Sequence, residues 1–245
     1  LGTNLPDVVF ENSRLVSIYD GFDRQRVDLE NYVSLIREFR ARSILDIGCG
    51  TGCLASILAK EGFDVIGVEP AKASLEYAQK KPHAEKVRWI LGDATTLPPL
   101  AVDLAVMTGN VAQVFLDDDS WAKTLVGIRR VLKKDGHFVF EVRDPAQKAW
   151  LQWTRENTYQ RVNFPEVGNV ECWCDVTRIQ GDLVSFRWTF VFESDGAVLE
   201  SDSTLRFRER RAIENSLQQA GFFVKEVRDA PDRPGKEFVF VTSLR

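Results

Sequence analysis

Ile44-Leu45-Asp46-Ile47-Gly48-Cys49-Gly50-Thr51-Gly52 is the stretch on which the reading of this chain turns. A short apolar strand carries an acid, Asp46, and runs into three glycines at alternate positions; Leu54 to Lys60 then has a helix-forming composition. Glycine leaves bare backbone where a Cβ would collide, so the spacing predicts a ligand lying against main chain. The helix that follows turns free N–H groups and a partial positive end toward that ligand. Cys49 is the kind of small side chain such a loop admits. The bland alternative is a tight strand-to-helix turn that holds nothing.

The spacing also selects among ligands. A dinucleotide fingerprint, G-x-G-x-x-G, would place its third glycine at position 53, which is Cys53. A phosphate-cradling P-loop needs Gly-Lys-Ser/Thr, which does not follow. The second strand, Asp64 to Val68, ends in Glu69-Pro70, and a carboxylate there accepts hydrogen bonds from two ribose hydroxyls at once. Its distance of about 20 residues from the glycine loop favours nucleoside binding over a solvated strand end. A third strand, Val87 to Leu91, runs into Gly92-Asp93-Ala94, where Asp93 is either a ligand group or a turn cap.

Together these features resemble the class I S-adenosylmethionine-dependent methyltransferases, whose first motif reads apolar-apolar-Asp/Glu-apolar-Gly-x-Gly-x-Gly. The resemblance covers about residues 42–145, with 209–245 fitting the closing part of the fold. It implies that Asp46, Gly48, Cys49, Gly50, Gly52, Glu69, Pro70, Gly92, Asp93, Ala94, Thr108 and Gly109 bind S-adenosylmethionine. Within it, Glu69 takes the ribose, Asp93 the adenine amino group, and the N–H groups after Gly50 the methionine carboxylate. Gly67-Val68-Glu69-Pro70 looks like the Gly-Val-Asp-Pro of small-molecule methyltransferases. Thr108-Gly109-Asn110 departs from the Asn/Asp-Pro-Pro-Tyr/Phe motif of enzymes that methylate adenine bases and glutamine side chains.

Around this segment, apolar runs at 43–47, 64–68, 86–90, 102–107 and 137–143 alternate with helical patterns at 53–61, 72–81 and 120–133. Such alternation predicts an α/β fold, a Rossmann-like seven-stranded sheet with helices on both faces. A helical stripe between Val27 and Arg40 precedes it, and Tyr19 to Phe22 reads as a loop. Within 146–208 the period changes to two, and Gln180-Gly181-Asp182 and Asp195-Gly196 mark turns. Strands near 168–179, 183–193 and 197–208 are therefore expected as an inserted antiparallel β meander, a cap folded over the rim with Phe186, Trp188 and Phe190 between it and the main sheet. Arg210 to Ala220 is a helix stopped by Gly221, and 222–227 and 237–242 are the last strands. The chain reads as a single domain over 1–245: an N-terminal helical segment (1–41), a cofactor-binding core (42–145 and 209–245) and the insertion (146–208).

The chain has 245 residues, 44% hydrophobic and 28% charged, with a net charge of -4. This is the composition of a globular domain, without a basic footprint for nucleic acid or an anionic membrane surface. No apolar run reaches transmembrane length, and Leu1 to Phe10 lacks the blocks of a signal peptide, so the expectation is a cytoplasmic protein. Four cysteines and two histidines, scattered, predict no metal site; Cys172 and Cys174 share a strand face as small hydrophobes.

Methyl transfer from a sulfonium needs alignment above all, and a base only for a hydroxyl or protonated amine. Asn110 and Arg143 are the candidates nearest the chemistry; Tyr19, Gln113 and Trp153 join them as candidates for holding the acceptor. Arg143, at the end of the fifth strand, suits an anionic acceptor or an ion pair equally. His83 and His137 are expected to be structural. Asp117-Asp118-Asp119-Ser120 reads as a helix start, capped by Asp119 or Ser120, and Arg206, Arg208, Arg210 and Arg211 as a solvated face. The function expected is methylation of nitrogen or oxygen on a small molecule, the oligomeric state being open. A non-catalytic S-adenosylmethionine-binding protein and a nicotinamide-dependent oxidoreductase are the alternatives.

Overall fold

The computed structural model describes residues 6–22, 26 and 28–244. Its elements run α1 (Val8–Glu11), α2 (Ser13–Phe22), α3 (Asp28–Glu38), β1 (Ser43–Ile47), α4 (Cys53–Lys60), β2 (Asp64–Glu69), α5 (Lys72–Ala78), β3 (Val87–Leu91), β4 (Val102–Met107), α6 (Asp118–Val131) and β5 (Leu132–Arg143). After these come α7 (Arg155–Thr158), β6 (Gln160–Phe164), β7 (Gly168–Gln180), β8 (Leu183–Phe192), β9 (Val198–Arg206), α8 (Arg210–Gln219), β10 (Phe222–Asp229) and β11 (Glu237–Leu244).

Seven strands form one sheet in the order β10-β11-β5-β4-β1-β2-β3. β1 to β5 are parallel, and β11 enters antiparallel between β5 and β10. The chain order reverses at β1, which has β2 on one side and β4 on the other. A crevice outside the carboxyl ends of strands at such a reversal is where open α/β sheets bind ligands. Both faces are covered, as fully buried parallel strands require. One face packs Trp121, Leu125, Phe138, Phe140 and Phe240 with α6 and α8; the other packs Ile44, Val106 and Val241 with Leu29, Ile36, Leu54 and Leu58 of α3 and α4.

The remaining strands make a separate antiparallel sheet, β6-β7-β8-β9. It has four strands where three were expected. β6, Gln160-Arg161-Val162-Asn163-Phe164, is a polar edge strand whose register with β7 the apolar pattern does not announce. Its apolar face also packs elsewhere than expected. Phe190, Phe192, Val170 and Cys172 close on Val9, Leu15 and Ile18 of α1 and α2, so the N-terminal helices, and not the main sheet, fill that interface. Cys172 is buried there and Cys174 is buried further along β7, their thiols pushed up to about 12 by burial.

Tyr19 to Phe22, expected as a loop, is the last turn of α2. Gly21 gave that stretch its loop-like look; a Cβ there would stand 2.1 Å from Phe164 Cε1, so packing requires the glycine. α3 begins at Asp28, and Val27, the expected start, lies outside the described residues, as do Leu1 to Leu5. Asp117, and not Asp119 or Ser120, caps α6 by accepting Ser120 N–H at 2.7 Å, so the helix starts two residues earlier than expected. Arg208 is buried rather than solvated, and it shares Asp118 with Arg206. Among the described residues no helix is long and apolar enough to cross a membrane.

Candidate active site

β1 delivers Asp46, 1% exposed, to the carboxyl edge of the sheet. Its Oδ1 has no hydrogen-bond partner, and burial raises its pKa to about 7, with Arg26 opposing and Glu69 adding to the rise. The loop then turns through Gly48, Gly50 and Gly52, all at positive φ. The three glycines answer different demands. A Cβ on Gly48 would meet Val111 Cγ2 at 2.8 Å, and one on Gly52 would meet Trp89 at 2.7 Å and Ala78 at 2.8 Å. On Gly50 it would meet nothing within 4 Å. Two glycines therefore admit protein side chains, and only Gly50 faces open space.

Glu69 closes this end. Its Oε2 accepts Gly50 N–H and its Oε1 accepts Ala71 N–H, both at 2.9 Å. Burial raises its pKa against those two bonds. Over the loop lies Asp20 of α2, which accepts the Thr51 hydroxyl at 2.6 Å and pairs with Lys81 at 2.6 Å. Lys81 also reaches Cys53 Sγ at 2.9 Å. Burial works against its ammonium, but Cys53 and Asp20 outweigh it and hold the pKa above its ordinary value. Gly92-Asp93-Ala94 follows β3; exposed Asp93 accepts Thr95 N–H and hydroxyl, the turn-cap geometry, and Pro70 is exposed beside Glu69.

At the other end of the rim, Gly109 N–H donates to Glu141 Oε1 at 2.7 Å, and Asn110 Nδ2 donates to Glu237 Oε1 at 3.2 Å. Asn110 adopts left-handed backbone, φ +62, which its short polar side chain tolerates. Arg233 Nη1 also donates to Glu237 Oε1, at 2.7 Å. Arg143 donates to Gln113 Oε1 at 3.1 Å, stands 4.0 Å from Glu237 and faces the Trp153 ring at 5.6 Å. Gln113 in turn donates to the carbonyl of Arg206. Trp153 packs edge-on against Phe186 of β8. Burial lowers the pKa of Arg143, with Glu237 opposing; Tyr19 is exposed on α2 and packs edge-on against Phe10.

Of the expected acceptor-side residues, Asn110, Gln113, Arg143 and Trp153 thus converge, while Tyr19 packs on Phe10 and His137 stacks on Phe39. Glu141, Glu237, Tyr32, Arg233 and Asp20 were not foreseen. Burial raises Glu141, and Glu237 adds to the rise; burial likewise drives the Tyr32 phenol well up, with Glu141 beside it. Glu237 heads an apolar strand, and an acid before Phe238-Val239-Phe240 was the one available signal. Among the described residues no group of His, Cys, Asp or Glu could hold a metal.

This rim fits S-adenosylmethionine. At the glycine-loop end the buried acids Asp46 and Glu69 suit a cationic ligand, Asp46 Oδ1 lacks a donor, and Gly50 leaves backbone open. Residues 44–136 match the family model described as "Methyltransferase domain". The cypemycin N-terminal methyltransferase of a Streptomyces species is 32% identical over 47% of this chain and 48% of its own length. The chain spans about half the length of the curated relatives it matches first. An S-adenosylmethionine-dependent methyltransferase from Clostridium acetobutylicum superposes with a TM-score of 0.74 at 19% identity, over 94% of this chain and 98% of that one. The sugar N-methyltransferase KedS8 from a Streptoalloteichus species does so at 0.71 and 23%, over 93% and 92%. Residues 44–136 are thus similar to a methyltransferase domain, and the chain has the fold of solved S-adenosylmethionine-dependent methyltransferases.

Proposed function

We propose that the protein moves a methyl group from S-adenosylmethionine to nitrogen or oxygen of a small molecule. The observation that carries this reading is the pairing at β1 and its loop: a donor-less buried Asp46 beside Gly50, the one glycine of the run that opens on space. The proposal assigns Asp46, Gly48, Cys49, Gly50, Gly52, Glu69, Pro70, Gly92, Asp93, Ala94, Thr108 and Gly109 to the cofactor side. Tyr19, Asn110, Gln113, Arg143 and Trp153 form the acceptor side. The cypemycin N-terminal methyltransferase and a sugar N-methyltransferase among the similar proteins support a small acceptor. The net charge of -4 supports an acceptor other than nucleic acid. Four cysteines, all free, suit a reducing cytoplasmic setting.

The bound cofactor supplies an activated methyl group; the chain supplies alignment, for which positioning contributes about 7–11 kcal/mol. Glu69 would hold the ribose hydroxyls and Asp46 a positive group of the cofactor. Glu141 fixes Gly109 and so sets the end of β4 against the loop. Trp153 and Phe186 wall the acceptor side and exclude water. Calorimetric titration with S-adenosylmethionine and, in parallel, NADH tests the reading. Binding of the first alone is expected. NADH binding without it would point to the oxidoreductase, and binding with no transfer to any offered acceptor would point to a non-catalytic binder.

A further inference from the structure

Two oxygens at the β4–β11 end of the rim are buried and have no donor: Oδ1 of Asn110 and Oε2 of Glu237. The residues are 2% and 3% exposed, and the hydrogen bond from Asn110 Nδ2 to Glu237 Oε1 joins them. Each orphan oxygen therefore sits on the same amide or carboxylate as one end of that bond. The bond also fixes the amide's orientation, since a flipped Asn110 would turn its oxygen toward a carboxylate. The neighbouring cations are committed, Arg233 Nη1 to Glu237 Oε1 and Arg143 Nη1 to Gln113. A buried acceptor left without a donor loses most of the free energy a hydrogen bond would return.

The pair lies beyond the reach of the nucleoside end. From β2, which carries Glu69, to β11, which carries Glu237, is four strand steps, about 19 Å at the usual spacing. Asp46, nearer the glycine loop, is the acid placed for the cofactor's own ammonium. We propose that Asn110 Oδ1 and Glu237 Oε2 together hold the nitrogen of the methyl acceptor, so that the acceptor is an amine. This rests on the methyltransferase reading and narrows it. Two acceptor oxygens ask for two donor hydrogens; a hydroxyl brings one, a primary amine at least two. The carboxylate adds a charge that favours nitrogen further. In the transfer, the amine lone pair forms the N–C bond while the C–S bond breaks and its electron pair goes to sulfur. The proton in excess on nitrogen leaves toward Glu237 Oε2.

The test uses the whole chain saturated with S-adenosylhomocysteine and a panel of primary amines of increasing size, each beside the alcohol of the same skeleton. Binding is read by calorimetry, and methylation by mass spectrometry after exchange for S-adenosylmethionine. At least one amine is expected to bind about tenfold or more tightly than its alcohol. Glu237→Gln, which turns the free oxygen into a donor, removes that preference and leaves the affinity for S-adenosylhomocysteine unchanged. Asn110→Gly keeps the Glu237–Arg233 pair and the left-handed backbone, and covers the case in which Glu237→Gln fails to fold. Equal binding of amines and alcohols, as when water alone satisfies the pair, overturns the proposal, and so does a preference that survives both variants. Failure of the wild-type chain to bind S-adenosylhomocysteine would instead sink the methyltransferase reading.

Discussion

Around Gly50 and Glu69 the partners are main-chain N–H groups and a carboxylate 19 positions away. Around Asn110 they are side chains, Glu141 joined to Gly109 across 32 positions and Glu237 to Asn110 across 127. The first end relies on backbone that a side chain would obstruct. The second relies on charges that must balance one another in a buried place. One is therefore sensitive to added atoms, the other to removed ones.

Gly52→Val strikes the loop hardest. The left-handed backbone costs roughly 1–2 kcal/mol and the collision with Trp89 and Ala78 roughly 1–3 more, read as a fall in Tm. Asp46→Asn should act in the opposite direction and with pH. Asp46 titrates near 7 when folded and near 3.8 when unfolded, so its stabilising effect is complete below about pH 4 and disappears as pH rises through 7. The ligand-free variant should accordingly match wild type near pH 4 and exceed it by about 2–4 kcal/mol at pH 8. An advantage that does not change with pH would contradict the assignment. Cofactor binding at pH 7 should release about half a proton in wild type and none in Asp46→Asn, which calorimetry in buffers of different ionisation enthalpy measures.

At the second end, Arg233→Met leaves the Glu237 carboxylate with one partner fewer. Because Arg233 is itself 42% exposed, the loss should be about 2 kcal/mol rather than the larger figure for a fully buried pair. Gly50→Ala separates the two ends most cleanly. With open space around it, folding should suffer by only about 1 kcal/mol, while S-adenosylmethionine affinity falls at least tenfold. Equal losses in Gly50→Ala and Gly52→Val would erase the division of labour within the loop. Arg187→Ala, on the exposed face of β8 opposite Asp202 and Glu200, should leave Tm unchanged.

The same contrast explains what the sequence made legible. β1, β2 and their turn are contiguous, so apolar runs and glycines announce them; the acids at the ends of β1 and β2 follow at fixed spacing. Glu237 reaches Asn110 only because β11 enters antiparallel beside β5, a pairing that no local pattern encodes. β6 stayed hidden because an edge strand with solvent on one side needs few apolar residues. Gly21 pointed the wrong way, since the ring that requires it, Phe164, lies in the other sheet. Asp20 was out of view for the same reason, reaching Thr51 across 31 positions.

The helices α1 and α2 fasten to both sheets. Val9 N–H donates to Ser201 of β9, and Ser203 to Asp7; at the other side Ser74 of α5 donates to the Phe10 carbonyl, and Asp20 grips Thr51 and Lys81. They act as a hasp with one leaf on each body. Asp20, which holds the glycine loop, and the residues that face the antiparallel sheet are thus carried by the same two consecutive helices. The placement of the glycine loop therefore depends on residues outside the glycine motif, with Asp20 reaching Thr51 across 31 positions.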